Sequence, residues 1–361
     1  MIIIDEIKLS KELIRFPSVT PVDAGVIKFL SKKLKSLGFN CKILEFRDKK
    51  SKPIKNLYAR IGTKQPNICF AGHTDVVPPG NSKDWTVNPF KPIVKNNYLI
   101  GRGANDMKSS IACFTSAVSR FLKNNTNING SISFLITGDE EGLAINGTKK
   151  VVDYLKKRNE KINFCIVGEP TNPKKLGEMI KIGRRGSLSA KLEIVGTQGH
   201  VAYPHLSTNP INTMINVCKR LKKTRLDKGN KNFQPSNLEF TSIQVDNNAH
   251  NVIPSRVNSQ FNVRYNNIHT SISLKKRINN IIKIECKKNK CKFKVNYEAS
   301  GDAFVTKPEK TIFMAKKIIK KITRVNPRFS TTGGTSDARF IRKISPCLEF
   351  GLVNKTMHKV D

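Results

Sequence analysis

The stretch that constrains this chain most is an apolar run followed closely by three acidic residues. In SISFLITGDEEG (131–142), the run Ile132–Ile136 predicts a buried strand, and Asp139, Glu140 and Glu141 come just after it. Carboxylates this close repel one another, so a cation lying over them, most simply a metal ion, would stabilise the cluster. A solvated acidic turn at the end of a strand explains this stretch equally well, and the stretch alone does not separate the two interpretations.

Two further apolar runs end in potential metal ligands. NICFAG (67–72) leads into His73 and Asp75, and INFCIVG (162–168) leads into Glu169. In an open α/β sheet, ligands gather outside the carboxyl ends of the strands. We therefore expect these side chains to meet at one edge of a sheet.

A glycine-rich turn brings one more carboxylate towards this edge. GRGANDMK (101–108) precedes an apolar periodicity that predicts a helix over 105–122, with Asp106 near its start. Strand and helix patterns alternate through this part of the chain. The fold class is therefore predicted as α/β, with a largely parallel sheet and helices on both faces.

The pattern changes after Gly183. The predicted elements are then a strand at 187–195, a helix at 209–225, strands at 238–245 and 257–265, a helix at 271–284 and a strand at 291–297. This β-α-β-β-α-β order is that of a ferredoxin-like α+β unit. Because the helix and strand patterns of the first part resume afterwards, we predict a catalytic domain formed by 1–183 and 300–361, and an inserted domain at 184–299.

Length and composition are those of a globular chain, with 361 residues, 38% hydrophobic and 25% charged. No apolar run approaches the roughly 18 residues that a membrane span needs. Acidic residues near the N-terminus argue against a secretory signal, so we expect a cytoplasmic protein without a membrane partner. The eight cysteines form no Cys-x-x-Cys pair, which favours reduced thiols over disulfides or a zinc ribbon.

The charge is unusual, because 65 Lys plus Arg face 27 Asp plus Glu, a net charge of +38. A strongly basic chain is drawn to phosphate, which makes a nucleic-acid binder one hypothesis. The lysines are scattered rather than gathered in one arm, and no recognition motif with interleaved aromatics is present. We therefore favour a solvated basic surface, which would also speed the encounter with an anionic substrate.

Taken together, the motifs resemble those of the co-catalytic zinc amidohydrolases, the superfamily of aminoacylases, carboxypeptidases and acetylornithine deacetylases. The resemblance covers essentially the whole chain. Its blocks are AGHTDVVPPG (71–80), GRGANDMK (101–108), ITGDEEG (136–142), VGEP (167–170), GRRGS (183–187), GTQGHVAYPH (196–205), NVIP (251–254), GGTSDARF (333–340) and the closing VNKTMHK. GRRGS, NVIP and GGTSD favour members that act on N-succinylated amino acids over deacetylases and peptidases, which share the metal ligands.

The resemblance implies two zinc ions per subunit, for which cobalt can substitute. His73, Asp106 and Glu169 would hold one zinc, and Asp106, Glu141 and His358 the other. Each zinc then has one imidazole, two carboxylates and an open position. A shared carboxylate suits the metal spacing of about 3.5–4 Å in two-metal hydrolases. Without the other motifs, His73 would be interpreted as a core histidine whose ring nitrogens are hydrogen-bonded.

The resemblance also assigns catalytic roles to three further residues. Glu140 would act as general base, taking a proton from water and giving it to the departing amine. Asp75 would hydrogen-bond the His73 imidazole and fix its tautomer. His200 would help to stabilise the oxyanion.

A small anionic N-acyl amino acid is the substrate that the resemblance implies. The implied substrate contacts are Arg184, Arg264, Asn251, Gly334, Thr335 and Asn354. The two arginines suit bidentate carboxylate recognition, although as two of 65 basic residues they are also read as surface charges. In the superfamily the inserted domain forms a homodimer, and a histidine and an asparagine, here His200 and Asn251, reach the partner's site.

Two features depart from the superfamily pattern. Asn105 stands where a small residue often precedes the shared aspartate. The chain ends three residues after His358, where relatives continue with a further helical segment. We therefore expect the segment carrying His358 to be less well packed and the second metal to bind more weakly. A basic nucleic-acid-binding protein on an inactive scaffold is the remote alternative, and the complete set of metal and base residues weakens it.

Overall fold

The computed structural model describes residues 2–49, 51–125 and 127–361. The chain divides into two compact units. The first contains the residues up to Ile182 together with Thr306–Ser330 and Ser336–Asp361, and the second contains Gly183–Val305 and Thr331–Thr335. The functional division into a catalytic domain and an inserted dimerisation domain stays a prediction.

The described residues form both helices and strands. The α-helices are α1 (Glu6–Ile14), α2 (Val26–Ser36), α3 (Ser109–Asn124), α4 (Thr148–Lys157), α5 (Pro210–Lys223), α6 (Ser271–Lys288), α7 (Lys310–Thr323) and α8 (Ala338–Ile341). The longer strands are accompanied by short ones, numbered together in chain order: β1 (Asn40–Asp48), β2 (Ser51–Ile61), β3 (Asn67–His73), β4 (Ile93–Lys95), β5 (Tyr98–Ile100), β6 (Ser131–Thr137), β7 (Phe164–Val167), β8 (Met179–Lys181), β9 (Gly183–Arg184), β10 (Gly186–Val195), β11 (Gly199–His200), β12 (Asn237–Gln244), β13 (Val252–Ile253), β14 (Arg256–Tyr265), β15 (Lys292–Gly301), β16 (Phe304–Val305), β17 (Arg328–Ser330) and β18 (Cys347–Glu349).

The first unit is built on a mixed sheet with the strand order β1-β2-β6-β3-β7-β18-β8-β17. Its central strands β6, β3, β7 and β18 are parallel to one another. Antiparallel pairs join β1, β2 and β6 on one side and β18 to β8 on the other. The predicted α/β class with a largely parallel sheet is confirmed. Because the central strands are parallel, β3, β6 and β7 end at the same edge.

The core of the first unit lies between helices α1, α2 and α3 and one face of the sheet. In α2, Ile27, Leu30 and Leu34 are fully buried, as their spacing on one helix face predicts. Burying each such side chain contributes about 1.5–3 kcal/mol. The helix ends before Gly38, whose φ of 90° lies in the left-handed region that glycine adopts without strain.

The second unit is an antiparallel sheet in the order β12-β14-β10-β15. Helices α5 and α6 pack on one face of it, around Leu192, Val217, Phe261 and Ile278. Strands and helices follow one another as β10-α5-β12-β14-α6-β15, which is the predicted ferredoxin-like order. That prediction is confirmed.

The start of α3 differs from the prediction. The helix begins at Ser109 rather than at residue 105, and Ala104–Lys108 form an irregular turn in which Asp106 has φ −122° and ψ 95°. Met107 is fully buried next to the sheet, where only the missing side chains of Gly72 and Gly168 leave room for its methyl group. Met107 occupies this space with non-helical backbone angles, φ −136° and ψ 28°, so packing overrides the local helical preference.

Two predictions from composition concern the whole chain. Among the described residues, no helix combines the length and apolar character that crossing a membrane requires. All eight cysteines are free thiols, five of them buried.

Candidate active site

Five side chains that the sequence pointed to lie together in the first unit, at the edge where the parallel strands end. His73 is the last residue of β3, and Glu169 comes two residues after β7. Glu140 and Glu141 follow β6, and Asp106 lies in the irregular turn before α3. Strand register explains the convergence, since His73 is paired with Thr137 at the end of β6.

The first group of potential ligands surrounds His73, which is 1% exposed. Its Nε2 lies 3.1 Å from Asp106 Oδ1 and 3.8 Å from Glu169 Oε1. Ligand atoms of His73, Glu140 and Glu169 also lie within 4.8 Å of one another, which puts Glu140 beside this group.

The second group surrounds His358, whose side chain is 42% exposed. Its Nε2 lies 2.8 Å from Glu141 Oε1 and 3.2 Å from Asp106 Oδ2. Asp106 therefore directs one carboxylate oxygen to each imidazole. That is the disposition of a bridging carboxylate between two metal ions.

The charges of the cluster favour cations. Hydrogen bonds to Asp106 and Glu141 raise the pKa of His358 to about 10. Burial alone would raise the pKa of Asp106, but hydrogen bonds to His358 and His73 outweigh it and hold that pKa below its ordinary value. Three carboxylates with two imidazoles form a donor set suited to zinc and related ions. The residues present therefore fit two metal ions.

Glu140 has the environment of a proton-transfer group. Burial raises the pKa of Glu140 well above its ordinary value, and the charge of Glu169 raises it further, while His73 acts in the opposite direction. A carboxyl group whose pKa is raised in this way is suited to accept a proton and to return it.

Asp75 connects several of these residues. Its backbone carbonyl accepts a hydrogen bond from His73 Nδ1 at 2.9 Å, which fixes the proton on Nδ1 and leaves Nε2 to face the carboxylates. Its carboxylate accepts the backbone N–H groups of Glu140 at 3.2 Å and Glu141 at 2.9 Å. Asp75 thus orients the imidazole through its main chain and the two glutamates through its side chain.

Asp139, the first member of the acidic run, turns away from this cluster. It is 3% exposed, and its Oδ2 accepts the backbone N–H groups of Ile145 at 2.9 Å and Asn146 at 3.0 Å. Its carboxylate therefore closes the loop that carries the two glutamates. Residue type alone does not separate Asp139 from its neighbours, because loop closure determines the directions of the three side chains.

Most predicted substrate contacts lie in the second unit. There, His200 and Asn251 are neighbours: His200 pairs with Val252 across β11 and β13, and the Asn251 carbonyl accepts the N–H of Val201 at 3.1 Å. Both residues are exposed.

The predicted arginines occupy different positions in the same unit. Arg184 is buried and donates to the backbone carbonyl of Gly334 at 3.1 Å, with Thr335 next in the chain. Arg264 lies on β14 opposite Ser187, and burial lowers its pKa, helped by the charge of Arg185. Asn354, the remaining predicted contact, lies in the first unit, in a short helical turn (Asn354–Thr356) that precedes His358. The roles of all these residues stay predictions.

Comparison with known proteins identifies relatives over nearly the full chain. The sequence profile described as Peptidase family M20/M25/M40 matches residues 69–361. A protein of Pelagibacter ubique (strain HTCC1062) named succinyl-diaminopimelate desuccinylase is 66% identical over 357 residues, which cover 99% of this chain and 93% of that protein. A protein of the same name from Ehrlichia canis (strain Jake) is 51% identical, with 99% and 93% covered.

Solved structures resemble this chain in fold. An aminopeptidase from Bacillus cereus ATCC 10987 has a TM-score of 0.77 at 20% identity, with 97% of this chain and 91% of that chain covered. A protein of Bacillus subtilis described as a dinuclear metal-binding peptidase has a TM-score of 0.67 at 14% identity, with 96% and 88% covered. At these identities the likeness concerns the fold alone, and it agrees with the α/β architecture described above.

Proposed function

This chain belongs to Peptidase family M20/M25/M40, and from that premise we propose that it hydrolyses N-succinyl-LL-2,6-diaminopimelate to succinate and LL-2,6-diaminopimelate. The observation that supports the chemistry is that the two Asp106 carboxylate oxygens face different imidazoles, those of His73 and His358. Glu140 lies beside His73. The choice of substrate is supported by the name that the relatives from Pelagibacter ubique and Ehrlichia canis share. The product would serve lysine and cell-wall precursor biosynthesis in the cytoplasm.

In this proposal, His73, Asp106 and Glu169 hold one zinc ion, and Asp106, Glu141 and His358 hold the other, with cobalt as a substitute. When bound, such ions lower the pKa of water and polarise the substrate carbonyl. The chain's own residues perform the proton transfers. Glu140 accepts a proton as water oxygen bonds to the succinyl carbonyl carbon, and it delivers a proton to the amine nitrogen as the C–N bond breaks.

The residues around the reacting groups orient them. The Asp75 carboxylate, by accepting the N–H groups of Glu140 and Glu141, holds base and ligand in one geometry. We assign the oxyanion contact to His200, and carboxylate recognition to Arg184 and Arg264. The further substrate contacts in this proposal are Asn251, Gly334, Thr335 and Asn354. A homodimer formed through residues 184–299 would bring His200 and Asn251 to the partner's site.

The test is amide hydrolysis by the purified protein, either loaded with zinc or stripped by a chelator. N-succinyl-LL-2,6-diaminopimelate and N-acetylornithine are assayed side by side. We expect metal-dependent turnover of the succinyl compound alone. Turnover of N-acetylornithine instead would make the chain a deacetylase, and turnover of neither compound by a protein with two bound metals would overturn the proposed substrate.

A further inference from the structure

His358 is held differently from the other imidazole of the metal cluster. His73 ends a central strand and is buried, whereas His358 lies outside the helices and strands, with φ 61° and an exposed side chain. Packing therefore restrains His358 little. If its Nε2 is to stay within reach of Asp106 and Glu141, polar contacts must hold the segment in place.

One such contact comes from Asn105. Its Nδ2 donates to the backbone carbonyl of Val353 at 2.8 Å and to Thr356 Oγ1 at 3.1 Å. These two acceptors lie on the turn that leads to His358. Asn105 itself directly precedes Asp106, whose Oδ2 faces His358 Nε2. A single amide thus joins the turn that carries the shared carboxylate to the turn that carries the imidazole.

Arg102, from the same glycine-rich turn, makes a second and longer contact. Its guanidinium donates to the backbone carbonyl of His358 at 3.4 Å and stacks over the ring of Trp85 at 5.1 Å. Trp85 is in turn fixed by a hydrogen bond from its Nε1 to the carbonyl of Pro79 at 2.9 Å. The long distance makes this contact weaker than that of the Asn105 amide. Backbone hydrogen bonds to Asn172 hold the start of the segment, at Leu352 and Asn354, and the Asn105 side chain adds the contact at Thr356, nearer to His358.

We propose that Asn105 is a positioning residue for the second metal site, which it completes by holding His358 against Asp106 and Glu141. The inference rests on the proposed two-metal function. It also gives a role to the residue that departs from the superfamily pattern, since a small side chain at position 105 would reach neither Val353 nor Thr356.

The test is a Co²⁺ titration of the purified metal-free protein, followed by visible absorption and calorimetry. His358→Ala identifies the binding phase that belongs to the second site. In Asn105→Ala we expect that phase to weaken by about 10- to 100-fold, as loss of a contact behind a metal ligand typically does, while the other phase changes less than about threefold. Thr356→Val, which removes one of the two acceptors, should weaken the same phase by about two- to tenfold.

The matched control is Asn125→Ala. Asn125 Nδ2 also donates to a backbone carbonyl, that of Phe121, but it lies at the far end of the 16-residue helix α3, about 24 Å along the axis. This variant should bind both metals as the unaltered protein does.

The proposal would be overturned if Asn105→Ala left the affinity of the second site unchanged. If that variant fails to fold, an unchanged affinity in Thr356→Val would overturn it instead. Two unaltered binding phases in His358→Ala would also overturn it. The substrate assay is independent of this result. A protein that loses the second metal on Asn105→Ala but never cleaves the succinyl substrate would support the positioning role and refute the proposed function.

Discussion

The three consecutive acidic residues after β6 show how neighbouring side chains of the same type acquire different work. Asp139 closes its own loop, Glu140 lies beside His73 and Glu169, and Glu141 contacts His358. Strand-end patterns predicted that carboxylates would gather here, because parallel strands end at a common edge. They did not predict the individual directions of the side chains. These depend on the hydrogen bonds that Asp75 accepts from Glu140 and Glu141, and on those that Asp139 accepts from the loop that follows it.

Replacing Glu140 tests whether this residue acts as the base and not as a metal ligand. Glu140→Gln preserves shape but removes the proton acceptor, so we expect kcat to fall by about 10²- to 10⁴-fold while both metals stay bound. The measurements are kcat and bound metal per chain. Glu45→Gln, the same change at an exposed position on β1, should alter neither quantity. Substantial activity in Glu140→Gln would remove Glu140 from the role of base.

Asp75 offers a different test, because its backbone and its carboxylate act on different partners. Asp75→Asn keeps the backbone carbonyl that accepts from His73 Nδ1. It replaces one acceptor oxygen by an NH2 donor, which would then face the N–H of Glu140 or Glu141. We expect kcat to fall by about 10- to 100-fold with the fold retained. Asp84→Asn, at an exposed position, is the control, and a kcat within twofold of the original would contradict the orienting role.

At the scale of elements, long periodic segments were predictable and short ones were not. The longer helices of both units and the ferredoxin-like order follow from apolar spacing over about ten or more residues. Strands such as β9 and β16 are two residues long, too short to carry a period, and exist only because they pair with each other. The start of α3 was misplaced for the same kind of reason, since the contact of Met107 with the sheet is non-local.

The connection from α5 to β12 depends on one carboxylate, that of Asp227. Its oxygens accept the Gly229 N–H at 2.7 Å, the Asn266 amide at 2.6 Å and the Ser236 N–H at 3.2 Å, and His269 Nε2 lies 3.2 Å away. Partial burial raises the pKa of Asp227, but its hydrogen bonds outweigh this and hold the pKa below its ordinary value. The ionised form therefore stabilises the folded second unit.

We expect Asp227→Asn to lower the free energy of unfolding by about 1.5–3 kcal/mol at pH 7, the worth of a hydrogen bond to a charged group. Because the folded-state pKa is depressed, this contribution is present above the unfolded value of about 3.9 and is lost as the pH falls through the folded value. The difference between variant and original should therefore shrink below about pH 4. Denaturant unfolding at pH 7 and pH 3 measures it, with the exposed Asp246→Asn as control. A difference independent of pH would contradict this account.

At the scale of the whole molecule, motif order was the most informative signal. The predicted metal ligands are separated by up to 285 positions, from His73 to His358, and their side chains lie in one cluster because each ends a strand or follows a recognisable block. The links that hold them, from Asn105 and from the Asp75 carboxylate, were not predicted. They depend on turns that meet only after folding, and no residue pattern marks them.

The net charge of +38 leads to a prediction about the whole surface. If the scattered lysines attract the anionic substrate, kcat/KM should fall by about tenfold, the low end of steering effects, as ionic strength rises from about 10 to 150 mM. Over that range the screening length shortens from about 30 to 8 Å, so distant charges cease to act. The change should appear in KM, with kcat, measured in the same samples, as the internal control. If kcat/KM does not depend on salt, the lysines have a solvating role only. Nanomolar binding of duplex DNA at 150 mM salt would instead favour the nucleic-acid hypothesis, because dedicated DNA-binding proteins reach a Kd of about 10⁻⁸ M or tighter at that salt concentration.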